Sequence, residues 1–284
     1  MRIAFAIECF EKGLLDESDT DGIRLAFGDA QAMLAMLRRM VNREGFGKIL
    51  SGDMEELIER VGESSRQYAM QVKGMMVPLH DPRGKTGVGL AYAVSASGPD
   101  HMEIQHDPVL ETEAGLELYT PLGLIEGAEA HDLGAKKVRQ FIYLQTLYSM
   151  YNSLGFCMFC ARPVGPFTID RLVEYVRAVT GWNTSLWELL KVGERHSALA
   201  RIFNLREGKT VSEDTLPDRF FMNLGGTGPE SGKSISRSEF EEAVTSYYSM
   251  MGWSESGIPR CSKLRELDIE WAADKLPAAN KKAV

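Results

Sequence analysis

The sequence predicts a mostly α-helical chain. Apolar residues recur three or four apart in several long segments, two segments open on capping boxes, and strand alternation is weak throughout. No buried strand leads into a glycine-rich turn and helix, so no Rossmann arrangement is expected.

Asp29 is placed to cap a first helix with Ala30, Met33, Leu34, Leu37, Met40 and Val41 on its apolar face, stopped at Gly45. A second runs from about Asp53 through Leu57, Ile58 and Val61 to Gly62. Residues 68–78 form the one plausible extended stretch. A third helix spans 136–151, with Val138, Phe141, Ile142, Gln145 and Tyr148 at helical spacing. Thr168 opens a helix carrying Leu172, Val173, Val176 and Val179 and ending at Gly181. Ser185 with Glu188, and Ser236 with Glu239, are the capping boxes. The first helix they open reaches about Asn204. The second carries Phe240, Val244, Tyr247 and Met251 and ends at Gly252. The tail from Pro277 to Val284 is expected to fray.

With 284 residues and 44% apolar content, the chain can bury a sizeable core in one or two domains. A net charge of -8 argues against general affinity for nucleic acid. No apolar run reaches the length of a membrane span, and Glu8 interrupts the apolar amino terminus before any cleavage-site pattern. Four cysteines do not make a disulfide framework. A reducing cytoplasm is the expected compartment, with neither nucleic acid nor membrane as partner.

Residues 74–134 are rich in Gly, Pro, Asp and His and show no clear elements. His80, His101, His106 and His131 fall there beside Asp81, Asp100, Asp107 and Glu111. No histidine pair has the i, i+4 spacing of a helical metal site, whereas Asp100 and Asp107 could each tune an adjacent imidazole. His101 is a candidate acid or base. Two stretches imitate a phosphate loop, Arg83-Gly84-Lys85-Thr86 and Gly225 to Ser234. Each lacks the first required glycine and a preceding buried strand, so both read as flexible loops. Cys157 and Cys160 form a CxxC without a second ligand pair, and by spacing alone they read as small apolar-flanked residues.

Longer matches change the reading. Lys73-Gly74-Met75-Met76-Val77-Pro78-Leu79-His80-Asp81-Pro82-Arg83-Gly84, followed by Gly87-Val88-Gly89-Leu90-Ala91-Tyr92-Ala93, resembles a signature of the aldehyde:ferredoxin oxidoreductase family. Asp19-Thr20-Asp21-Gly22, Leu154-Gly155-Phe156-Cys157-Met158-Phe159, Thr180-Gly181-Trp182, Val192-Gly193-Glu194-Arg195 and Asp214-Thr215-Leu216-Pro217 follow in the family's order. The similarity extends to about Leu267.

That resemblance implies an all-α, multihelical fold. Residues 1–70 would be the second half of the family's middle helical domain, and 71–284 the carboxy-terminal helical domain. It implies a cytoplasmic enzyme that oxidises aldehydes or related carbonyl compounds at a tungstopterin or molybdopterin centre. Electrons would leave through a 4Fe-4S cluster to ferredoxin. Asn152, Gly155, Phe156, Cys157 and Met158 would contact the cofactors, with Cys157 an iron ligand, and His101 would transfer protons or orient substrate. Three departures bear on this. Asn152 stands where an acid is common, Ser97 where an arginine is common, and Glu103 where a lysine is common, which would weaken contact with pterin phosphates.

The family's pterin-cradling domain and its other three cluster cysteines match nothing here. The chain alone is therefore expected to bind no cofactor, and to act with an amino-terminal pterin-binding domain or subunit. A homodimer and a non-catalytic helical remnant or interaction subunit are the alternatives.

Overall fold

The computed structural model describes residues 1–277, so the expected fraying after Pro277 lies outside the described residues. The chain divides into two compact units. One comprises Met1–Leu79 with Pro217–Arg219, and the other comprises His80–Leu216 with the chain from Phe220 onward. The extended stretch stays with the first unit, and Val77 N–H donates to Met70 O at 2.8 Å within it.

The first unit holds α1 (Arg2–Glu11), α2 (Ala30–Asn42), α3 (Gly45–Leu50) and α4 (Met54–Val61). Phe5, Ile7, Met36, Leu50, Met54, Leu57 and Ile58 make its core. The expected cap at Asp29 forms, and Asp53 caps the second expected helix. Asp29 accepts from Gln31 and Ala32 N–H, and Asp53 accepts from Glu55 N–H. The extended stretch is a short antiparallel hairpin of β1 (Gln71–Val72) and β2 (Met75–Met76). Lys73 and Gly74 at its turn both have positive φ, as a tight hairpin with right-handed strand twist requires.

One expectation fails within α2. The buried residues are Ala32 and Met36, whereas Met33, Leu34 and Leu37 are 41–45% exposed and Val41 is 75% exposed. Periodicity marks a face that can be buried, but does not say that this chain supplies the cover. The stripe borders an open cavity of 640 Å³ lined also by Ile3, Ile7, Ala26 and Phe27.

The second unit is built around α8 (Ala135–Leu154). It packs against α5 (Thr86–Val94), α10 (Leu186–Arg206) and α11 (Arg237–Met250), with α9 (Ile169–Thr180) and α12 (Cys261–Glu266) outside them. Two short helices, α6 (Asp107–Leu110) and α7 (Glu113–Glu117), lie between α5 and α8 in sequence. Thr168, Ser185 and Ser236 each accept the expected N-terminal amide, and Gly181 closes α9 at φ 73°. Gly193 lets α10 approach α8 closely, since a Cβ there would overlap Thr146 O.

The stretch 74–134 is more ordered than its composition predicts. Every residue of α5 is buried. A helix covered on all sides shows no amphipathic period, which is why the pattern missed it.

Polar residues along α8 fix its neighbours. Lys137 forms an ion pair with Asp107, and both side chains are 1% exposed. Gln140 Oε1 accepts from Ala128 N–H at 2.9 Å, and Gln145 Oε1 accepts from Tyr247 O–H on α11 at 2.8 Å. Removing one member of a buried pair leaves the other charge without compensation. Lys137→Met should therefore cost about 3–5 kcal/mol, while Lys136→Met at the exposed Lys136–Glu126 pair should change stability far less. Denaturant unfolding of both variants checks the contrast, and equal small losses would refute it.

Candidate functional site

Four basic side chains converge where the histidine-rich segment meets α5. Tyr92 O–H, on a fully buried ring of α5, donates to His80 O at 3.0 Å. Asp81 caps the next turn by accepting from Arg83 N–H, and it grips the Arg83 guanidinium at 2.6 Å. Pro82–Gly84 form one 3-10 turn, and Lys85 then caps α5. From the other side His106 precedes Asp107, whose pairing with buried Lys137 fixes the start of α6.

The result is a compact nitrogen cluster. The His80 ring lies 4.5 Å from that of His101 and 4.7 Å from that of His106, and the His101 and His106 rings are 5.9 Å apart. Lys85 Nζ contacts His80 Nδ1 at 2.9 Å and His106 Nδ1 at 3.2 Å. An ammonium only donates, so both Nδ1 atoms accept. His106 Nε2 sits 3.1 Å from His101 O, and a carbonyl only accepts, so His106 is the neutral Nε2–H tautomer.

Electrostatics agree with this wiring. Burial first, and the Lys85 ammonium second, push the His106 pKa down to about 4. The same two causes lower His80. Burial also lowers Lys85 against the opposing pull of Asp107 and Asp81. The adjacent aspartates therefore do not act as the sequence suggested. Asp107 is committed to Lys137, and Asp100 accepts from Met102 N–H at 2.7 Å. His131 does not join the cluster, because its ring is held between Arg83 O at 3.2 Å and Lys233 Nζ at 2.7 Å. Sequence reasoning missed Lys85 as a site residue. It stood in a broken phosphate-loop pattern, and only the fold shows what it faces. In the other imitation, residues 225–234, Lys233 is taken by Glu230 and His131 and the loop closes between Leu224 and Lys233.

The second candidate stretch ends α8. Gly155 adopts φ 65° as the helix cap, and Phe156 N–H donates to Tyr151 O at 2.9 Å. Cys157 caps a turn over Met158–Cys160. Asn152, Cys157 and Cys160 are exposed, while Phe156 and Met158 are partly buried. Phe156 stacks between Tyr151 and Phe167, which fixes the chain just before Cys157. Among the described residues no group of three His, Cys, Asp or Glu side chains is placed to hold a metal ion. The donors here fit one iron ligand, the exposed Cys157 thiolate, and a four-iron cluster needs others. No direct contact joins His101 to residues 152–158 among the described residues. Gln105 links the two regions, because its Oε1 accepts from Tyr119 and from Tyr148 of α8, each at 3.0 Å. Ser97 Oγ lies 3.1 Å from Ser95 Oγ, and Glu103 lines a small cavity with His196 and Arg201.

The chain belongs to the aldehyde ferredoxin oxidoreductase family. Residues 1–269 match the family described as "Aldehyde ferredoxin oxidoreductase, domains 2 & 3". The tungsten-containing aldehyde ferredoxin oxidoreductase of Pyrococcus horikoshii is 32% identical over 94% of this chain and 42% of its own length. The aliphatic sulfonate oxidoreductase WOR-like subunit of Pyrococcus furiosus is 28% identical over 94% of this chain and 39% of its own. The solved active-site complex BamBC of benzoyl coenzyme A reductase, with 1,5-dienoyl-CoA, shares the fold. Its TM-score is 0.70 at 20% identity over 96% of this chain and 44% of that one. The chain thus spans about two fifths of the length of the relatives it matches. Among the described residues no helix is long and apolar enough to cross a membrane.

The wiring of His106 sets a pH dependence. An unfolded imidazole titrates near 6.5, so a folded pKa of about 4 means that the unfolded chain binds the extra proton between those values. The stabilising contribution is intact above about 6.5 and is lost as pH falls through about 4. Imidazole NMR should give His106 a midpoint of about 4, moving upward in Lys85→Met. An unchanged midpoint in that variant would show that Lys85 is not the controlling charge.

Proposed function

We propose that this chain is the carboxy-terminal part of a tungsten or molybdenum pterin oxidoreductase that oxidises an aldehyde or related carbonyl compound. The observation that carries the reading is the placement of His101 in a cluster of imidazoles and an ammonium, beside a family fold that also presents Cys157 at the end of α8. When bound, the tungstopterin and the 4Fe-4S cluster would supply the two-electron oxidation and the exit of electrons to ferredoxin. Oxidation of an aldehyde to a carboxylate consumes one water and releases three protons with two electrons. A side chain must handle those protons, and we assign that role to His101. Cys157 would hold one iron of the cluster as its thiolate, and Gly155 and Phe156 set its position through the helix cap and the ring stack. Asn152 and Met158 complete the stretch that would face the pterin.

The exposed apolar stripe of α2 supports a partner. We assign that cover to the amino-terminal pterin-binding domain or subunit. That piece would contribute the other iron ligands, and a second copy of this chain is the rival cover. Residues 1–70 then correspond to the end of the middle helical domain, and 71–284 to the carboxy-terminal one, acting in the cytoplasm. The family's acid, arginine and lysine are replaced by Asn152, Ser97 and Glu103, which favours as second reading a non-catalytic subunit that retains the fold.

Anaerobic purification from the native host, with metal analysis of the assembly, separates the readings. The oxidoreductase reading expects iron and tungsten or molybdenum together with a second polypeptide. In that assembly His101→Asn should lower kcat about 100-fold or more with metal content unchanged, and Cys157→Ser should lower iron content. A metal-free chain would favour the subunit reading, and wild-type turnover in His101→Asn would remove His101 as the group that handles the protons.

A further inference from the structure

The His80–Lys85–His101–His106 cluster has more donors than its own contacts consume. Lys85 spends two N–H groups on His80 and His106. The third has no acceptor among the described residues, and no carboxylate lies within ion-pair distance. The carboxylates that act on Lys85 at longer range are Asp107 and Asp81. Each is already bound to a different cation, Lys137 and Arg83 respectively. His80, with Nδ1 accepting, carries its proton on Nε2, and that N–H has no acceptor among the described residues. The ring nitrogens of His101 likewise have no hydrogen-bond partner among them. All four side chains keep partial exposure, so a ligand can reach them from solvent.

A half-buried ammonium without a counter-ion is costly unless an anion joins it. Unspent N–H donors beside it are what an oxygen anion requires. With His80 and His106 accepting at Nδ1, the contacts leave Lys85 as the fixed positive charge, which matches a monoanion better than a phosphate dianion. We propose that this cluster is a carboxylate-binding site, with Lys85 as the charge and His80 and His101 as flanking donors. That the natural carboxylate is the acid formed from the carbonyl substrate rests on the oxidation reading. Binding itself does not. Lys85 and His80 would then hold the acid group beside His101, and carboxylate-bearing compounds would compete with substrate.

Acetate is the probe, titrated into the full chain against sodium chloride at matched ionic strength. Histidine side-chain NMR is the readout, with inorganic phosphate as the parallel arm. The expected result is a saturable shift of the His80 and His101 signals by acetate. Affinity should weaken at least about tenfold in Lys85→Met, the loss of one charge-assisted contact, and be largely kept in Lys85→Arg. His80→Gln provides a second variant should Lys85→Met fail to fold, and it too should weaken acetate binding. Identical shifts from acetate and chloride, undiminished acetate affinity in folded Lys85→Met or His80→Gln, or tighter binding of phosphate than of acetate would each overturn the assignment. Acetate binding with no oxidation by the metal-loaded assembly would remove the oxidation reading and leave the carboxylate site standing.

Discussion

The buried ion pair between Lys137 and Asp107 is the constraint on which the site depends. Two opposite charges at 1% exposure persist only when each satisfies the other. The pair ties the start of α6 to the first turn of α8 and allows Gly87 of α5 to pass close by, where a Cβ would crowd the Asp107 carboxylate. His106 is the residue immediately before that anchor. Its ring is therefore delivered to Lys85 by a contact made on the far side of its own backbone. A buried salt bridge is a poor source of net stability, but a strong source of register, because any shift would strand a charge.

The same logic runs along α8. Gln140, Gln145 and Tyr148 each spend a buried polar atom on a different neighbour, namely the loop at Ala128, Tyr247 of α11, and Gln105. Apolar packing against α10 and α11 would tolerate small slips between helices. Buried hydrogen bonds do not, since an orphaned polar atom costs about 1–3 kcal/mol. Gln105 matters most for function. It joins the segment carrying His101 and His106 to the helix whose end carries Cys157, so the two candidate sites sit on one rigid scaffold. A second buried pair, Arg201 with Asp214 at 2.7 Å, reinforces the α10 side. Tyr248 donates to Asp214, and Tyr248 and Trp253 stack beside the guanidinium.

Lys85 sets the chemistry of the cluster. As an ammonium it can only donate, so it fixes the tautomers of two histidines, and after burial it is the second cause that lowers the pKa of both. This inverts the arrangement in which a carboxylate orients an imidazole and raises its basicity. Here His80 and His106 present donors and acceptors around one cation, an environment suited to an anion. The exposed apolar stripe on α2 is hydrophobic surface that the described residues leave open to solvent.

The sequence by itself determined the helical class, the starts of five helices and one extended stretch. Asp29, Asp53, Thr168, Ser185 and Ser236 satisfy local amides, and Gly181 adopts a local φ, so each signal lies within a few residues of its effect. Ordered motif matches also placed the chain in its family. Tertiary structure alone decided the rest. It made α5 a helix, because a segment buried on every side carries no periodic pattern. It turned the α2 stripe outward, because periodicity does not name a partner. It drew three of the four histidines around Lys85 and sent His131 elsewhere. Those contacts depend on Lys137, which lies 30 residues beyond Asp107 and becomes its partner only when α8 packs beside α5 and α6.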